Sequence, residues 1–138
     1  MEIRKCLKSD YDFCYDLFKA NMEEYCIRHW GSFSDSFFSK NFIVEDTMII
    51  EVNGEIVGYY SINGNVLHDI QIMKEYRRKG IGTEVLKMIE CEFKGKVDKI
   101  KLKVFIDNPS IKLYKKLGYK EVRKSNSVGT IVMEKELN

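Results

Sequence analysis

The sequence predicts a mixed α/β layered domain, and three observations carry that prediction. Segments of helical and strand periodicity follow one another as α, ββ, β, α, β, α, ββ after an initial strand. Asn53-Gly54, the strongest short-range hairpin signal, lies between two β-rich runs. At 138 residues and 44% hydrophobic content the chain has the size of one domain, residues 1–138, able to bury a core without disulfides or a structural metal.

The elements can be justified in order. Glu2 to Leu7 reads as the initial strand. Ser9, followed three residues later by Asp12, resembles a capping box, and Phe13, Cys14, Leu17, Phe18 and Met22 then recur at helical spacing. This predicts a first helix from near Asp10 towards Tyr25, a break at Arg28-His29-Trp30-Gly31 and a shorter helical piece within Ser32 to Phe42. Met48 to Val52 and Ile56 to Tyr60 form an antiparallel pair around Asn53-Gly54. After the turn Asn63-Gly64-Asn65, Val66 to Met73 is a third strand with Ile70 and Ile72 on one face and Asp69, Gln71 and Met73 on the other. Val85, Leu86, Ile89 and Phe93 form a helical stripe that begins near Gly82 and stops before Gly95. Ile100 to Ile106 alternates as a strand, and Asp107-Asn108-Pro109-Ser110 caps a short helix through Leu117 that Gly118 closes. Tyr119 to Arg123 and Thr130 to Glu136 are the last strands, joined by a polar turn.

Composition bounds the chemistry. A net charge of +2 and the lack of a long basic run argue against nucleic acid and membrane surfaces as partners, so any anion site is local. The N-terminus lacks a signal-peptide core and no apolar stretch reaches a membrane span, which predicts a cytoplasmic protein. Cys6, Cys14, Cys26 and Cys91 form no CxxC pair, and His29 and His68 lie far from any cysteine cluster, so no metal and reduced, mostly buried thiols are expected.

The segment with the most chemistry is Arg77-Arg78-Lys79-Gly80-Ile81-Gly82-Thr83, between a strand and a helix start. A first helical turn has unsatisfied N–H groups and the positive end of the helix dipole, and Gly80 and Gly82 let backbone approach an oxygen atom. The three cations add attraction, so the segment reads as a phosphate site in which backbone amides recognise and side chains steer. The bland alternative is a tight turn with a solvated basic face. A Walker A loop and a dinucleotide fingerprint both fit poorly, the second because Val85 stands where its third glycine would.

Arg77, Gly80 and Gly82 match the Arg/Gln-x-x-Gly-x-Gly/Ala signature of the GNAT N-acetyltransferase superfamily, which the chain resembles from Ile70 through Gly82 and again from Asp107 to Tyr119. The resemblance implies a central twisted, mostly antiparallel sheet with helices on both faces and a splayed strand pair. It also implies acetyl-coenzyme A as acyl donor and direct transfer of acetyl to a primary amine, on a small molecule or on a protein or peptide. By position, main-chain groups of Ile70, Gln71 and Ile72 would meet the pantetheine and the acetyl carbonyl, and Arg78, Lys79, Gly80, Ile81, Gly82 and Thr83 would surround the pyrophosphate, with Arg77 as the motif's first residue.

The later segment resembles the family's Asn-x-x-Ala-x-x-Leu-Tyr helix, with Ser110 at the Ala position and one residue fewer before the helix. Asn108 takes the family asparagine's cofactor contact, or Asp107 holds that register and Asn108 makes the turn. Tyr114 would protonate the departing thiolate, with packing as the alternative role. His68 is the first candidate base for the amine, with Asp69 or a water relay as alternatives. By the resemblance, the acceptor pocket would be framed by the first two helices and the terminal hairpin, near Tyr25, Arg28, His29, Trp30 and Phe33, which otherwise serve as core or helix surface. A homodimer stays open, and the competing function is a noncatalytic acyl-coenzyme-A-binding regulatory module.

Overall fold

A computed structural model describes residues 1–137 of the chain. Seven strands are present among them: β1 (Glu2–Lys5), β2 (Thr47–Val52), β3 (Glu55–Asn63), β4 (Val66–Ile72), β5 (Lys99–Phe105), β6 (Lys120–Ser125) and β7 (Thr130–Glu136). The α-helices are α1 (Tyr11–Trp30), α2 (Asp35–Asn41), α3 (Ile81–Phe93) and α4 (Ser110–Lys116). Hydrogen bonding orders the strands β1-β2-β3-β4-β5-β7-β6 in one sheet. The pairs β1–β2, β2–β3, β5–β7 and β6–β7 are antiparallel, whereas β4 runs parallel to β5 at Val66↔Lys101 and Leu67↔Leu102. This is the mixed α/β class that the order of elements predicts, with the mostly antiparallel sheet that the family resemblance implies.

The chain divides into two compact units, one of Met1–Ile62 with Asp69–Arg77 and the other of Asn63–His68 with Arg78–Asn138. In the first unit, Asn53 (φ 52°) and Gly54 (φ 81°) both adopt the left-handed backbone that a two-residue hairpin between β2 and β3 requires. The helix α1 passes Tyr25 and continues to Trp30, where Gly31 in the left-handed region stops it and donates to the Ile27 carbonyl at 2.9 Å. Its start differs from the expected Ser9–Asp12 box. The N-cap is Asp10, whose carboxylate turns back to the Leu7 amide (2.7 Å) and to the Arg4 guanidinium (2.8 and 3.0 Å). The core of this unit gathers Cys6, Cys14, Leu17, Phe38, Ile49 and Tyr59. Phe38 of α2 meets the rings of Tyr11, Tyr15 and Phe42 at centroid distances of 5.4, 5.5 and 4.8 Å. The segment around α2 is therefore a packing element, in which aromatic complementarity supplies the order.

In the second unit the buried stripe of α3 is Ile81, Val85, Leu86 and Ile89, and Ile100, Leu102 and Val104 of β5 alternate inward as their spacing predicts. Glu90 of α3 accepts from Lys135 of β7 (2.8 Å) and from the Tyr119 hydroxyl (2.9 Å). The thiols of Cys6, Cys14, Cys26 and Cys91 are all free, the first three buried and the last exposed. No helix among the described residues is long and apolar enough to cross a membrane.

Candidate active site

The basic turn forms as its sequence demands. After β4 a 3-10 turn at Lys74–Tyr76 leads into Arg77, and then Arg78 (φ 61°) and Gly80 (φ 81°) both take the left-handed conformation. For Gly80 this is free of strain. Arg78 has a Cβ, so the same conformation costs on the order of 1 kcal/mol, a strain of the kind that persists where a loop must keep one shape. Gly80 is the N-cap of α3, and no side chain caps that helix. The amides of Ile81, Gly82 and Thr83 thus begin the helix without the usual side-chain acceptor, and the first main-chain bond is from Glu84 to the Gly80 carbonyl at 3.0 Å. With Arg78 and Lys79 in the same turn, this end suits a phosphate group.

Arg77, the first residue of the motif, is engaged elsewhere. Its guanidinium donates to the Ile72 carbonyl at 3.3 Å and to the side-chain oxygen of Asn21 on α1. Asn21 in turn donates to the side-chain oxygen of Gln71 (3.0 Å) and to the same Ile72 carbonyl (3.3 Å). The amide nitrogen of Gln71 donates to Asp69 at 2.7 Å, and the Tyr59 hydroxyl of β3 donates to the other carboxylate oxygen at 2.7 Å. One polar chain, Tyr59–Asp69–Gln71–Asn21–Arg77, therefore runs beneath the second half of β4. Gln71 is buried and enters it through its side chain, a role beyond the main-chain contact expected of it.

Asp69 and Gln71 share a face of β4, as strand alternation predicts. His68 beside them is exposed, whereas Asp69 is half-buried with its carboxyl group desolvated. That desolvation raises the Asp69 carboxyl from 3.8 to about 6, against the opposing pull of hydrogen bonds from Tyr59, Gln71 and the Ile70 amide. Burial likewise holds the Tyr59 phenol well above its ordinary range, with Asp69 adding to the effect, so it stays a donor. Sequence reasoning did not single out Asn21 or Tyr59. The available signal for Asn21 was a residue unfavourable inside a helix, placed in mid-helix, which invites the question of what its amide binds.

Gly58 of β3 explains how β4 is seated. A Cβ there would collide with the Gln71 carbonyl oxygen and come within 3.2 Å of the Ile72 Cα, and the Met73 amide donates to Val57 at 2.8 Å nearby. Only glycine permits this approach.

In the second unit Tyr114 is buried and packs edge-on against Tyr119, with centroids 5.9 Å apart. Asn108 accepts from the Ser110 amide at 2.9 Å, so its side-chain oxygen forms the turn that opens α4. Among the acceptor candidates, Trp30 and Phe33 help line a hollow of about 130 Å³ with Phe37 and the Cys26 side, and Trp30 packs on Phe37 at 5.0 Å. Arg28 instead lies over the Tyr25 ring at 5.4 Å.

Residues 20–137 match the family model of the acetyltransferase (GNAT) domain. The chain belongs to the GNAT acetyltransferase family. Among relatives of this GNAT chain is an N-alpha-acetyltransferase of Sulfurisphaera tokodaii, 35% identical over 95 residues, a match that takes in 54% of the chain and 56% of the relative. The chain thus spans little more than half the length of that curated relative. Solved GNAT folds resemble it along nearly its whole length. The PaiA N-acetyltransferase of Thermoplasma acidophilum, in complex with coenzyme A, superposes with a TM-score of 0.72 at 21% identity over 98% of each chain. The ribosomal-protein-S18-alanine N-acetyltransferase of Escherichia coli gives 0.69 at 20% identity over 99% of this chain and 94% of that one. At such identities the likeness is one of fold.

Proposed function

We propose that this protein is an acetyl-coenzyme-A-dependent N-acetyltransferase that moves acetyl directly to a primary amine. The observation that carries the proposal is the uncapped first turn of α3 behind the left-handed Arg78 and Gly80, in a chain of this family. Backbone amides of Ile81, Gly82 and Thr83 would hold the pyrophosphate with Arg78 and Lys79, while Asn108 and main-chain groups of Ile70, Gln71 and Ile72 would contact the rest of the donor. The residues fit such a group because the turn presents donors and cations together. When bound, acetyl-coenzyme A supplies an acetyl thioester. A main-chain N–H of β4 aimed at the thioester oxygen would stabilise the charge that gathers there.

For the amine's proton we assign Asp69 rather than His68. A base works best with a pKa near the working pH, and the desolvated carboxyl of Asp69, raised to about 6, meets that need while Tyr59 and Gln71 fix its orientation. The exposed His68 has the chemistry but no comparable fixation among the bonds described. Tyr114 would return a proton to the sulfur. We infer that both units act as one catalytic domain in the cytoplasm.

Calorimetric titration with acetyl-coenzyme A tests donor binding, and thiol release over a panel of amines tests transfer. Binding with turnover is the expected result. Binding without turnover on any amine would leave a noncatalytic acyl-coenzyme-A module, and absence of binding would remove both readings. Gly82→Trp should weaken coenzyme A binding by at least about tenfold, since the indole would occupy the approach to the helix end.

A further inference from the structure

The hairpin of β6 and β7, together with β5, holds cations that the acyl-transfer reading does not use. Lys103 of β5 pairs with Val132 of β7, and Val132 pairs with Arg123 of β6, so these side chains form one cross-strand row. The adjoining row on the same face is Phe105, Thr130 and Ser125. Between them lies a hollow of about 350 Å³ lined by Lys103, Arg123, Lys124, Ser125, Thr130 and the valines Val128 and Val132.

Three other cations of these strands are neutralised. Lys99 and Lys101 reach Glu134 at 3.1 and 4.0 Å, and Lys135 reaches Glu90 at 2.8 Å. Lys103, Arg123 and Lys124 have no acidic partner among the described residues, and no acid lines the hollow. Glu134, one row along the same face of β7, is already shared by Lys99 and Lys101. Gathered like charges repel one another, and an anion between them relieves that repulsion.

The surroundings select the kind of anion. β6 is the outermost strand and five of its six residues are exposed, so its free edge offers main-chain groups to an extended segment laid beside it. Arg123 and Ser125 alternate along that strand at the spacing of side chains from a second extended chain. Val128 and Val132 suit the methylenes of acidic side chains. No aromatic ring lines the hollow, so a nucleobase would find nothing on which to stack.

We propose that this groove binds an acidic polypeptide segment in extended conformation along β6, its Asp or Glu side chains meeting Arg123 while Lys103, two strands further in, adds attraction over a longer range. The inference does not depend on acyl transfer, because it concerns charge on the surface of one unit.

Fluorescence anisotropy on the full chain, without acetyl-coenzyme A, tests it with labelled short peptides of alternating Glu and Thr or alternating Gln and Thr. The Glu peptide should bind about tenfold more tightly at low salt, and the advantage should shrink as ionic strength rises. Lys103→Glu with Arg123→Glu should abolish the preference, and the milder Lys103→Gln with Arg123→Gln should reduce it, both judged on variants with wild-type circular dichroism. A Lys96→Glu control should keep it. Equal affinity for the two peptides would overturn the proposal, as would a preference that survives the paired charge reversal. So would a thymidine oligonucleotide of equal charge that binds as tightly as the Glu peptide. If the Glu peptide is bound selectively but releases no thiol in the transfer assay, the groove stands and the peptide is simply not the acetyl acceptor.

Discussion

Asp69 sits where a carboxylate is least comfortable and is held there by three donors, Tyr59, Gln71 and the Ile70 amide, and that tension defines its expected behaviour. Its deprotonated form grows as pH rises through about 6, so kcat/KM for amine acetylation should rise across that range. Asp69→Asn should lower turnover by about 10²–10⁴-fold while coenzyme A affinity changes little. Tyr59→Phe removes a hydrogen bond that favours the charged form, so the acidic limb of the profile should move to higher pH. An acidic limb unchanged in Tyr59→Phe and a normal rate in Asp69→Asn would return the role to His68, whose replacement by Gln should then lower turnover. At this scale the sequence marked the neighbourhood but not the choice within it. Alternation along β4 separates Asp69 from Ile70, yet the burial of the carboxyl and its hydrogen bond from Tyr59 of β3 are tertiary and leave no local trace.

Among the elements, β3 and β4 are coupled through a single missing side chain. Gly58→Ala would drive a methyl group into the Gln71 carbonyl, and the strands can relieve it only by moving apart. Overpacking of this kind costs about 1–3 kcal/mol, so the variant should melt several degrees lower. Because Gln71 and Ile72 move with the strand, its coenzyme A affinity should fall as well, which an exposed substitution of equal cost would not produce. A variant with wild-type melting and wild-type affinity would show that β4 is not seated by this contact. Gly58 stands inside a plain β-rich run, where an isolated glycine hints at close backbone approach without naming the partner. The hairpin at Asn53-Gly54 and the stripe of α3 were legible because their signals are local. The extension of α1 to Trp30 was not, since its last turns are held by packing of Trp30 on Phe37 rather than by a repeating apolar face.

For the molecule as a whole, fold class and family were readable because the order of elements and the basic turn are written in short segments. The polar chain from Tyr59 to Arg77 was hidden because it joins α1, β3 and β4 across some fifty positions of sequence. Two acids, Asp69 and Asp10, make global stability depend on pH in opposite senses. The Asp69 carboxyl is harder to ionise in the folded chain than in the unfolded one, so above pH 6 the fold carries the full cost of its charge. As pH falls from about 6 towards 4 the folded state takes up the proton first and stability rises, by about 3 kcal/mol at most. Asp10 acts the other way, because hydrogen bonds from Arg4 hold its carboxyl below the ordinary range. The stability it contributes is present above the unfolded value near 3.8 and is lost as pH falls through the lower folded value. Urea unfolding should therefore show a midpoint that climbs from pH 7 to pH 5 and drops below pH 4. Asp69→Asn should remove the climb and leave the drop, while Asp10→Asn should weaken the drop and leave the climb. A climb of wild-type size in Asp69→Asn would mean that its charge is not the one the fold disfavours.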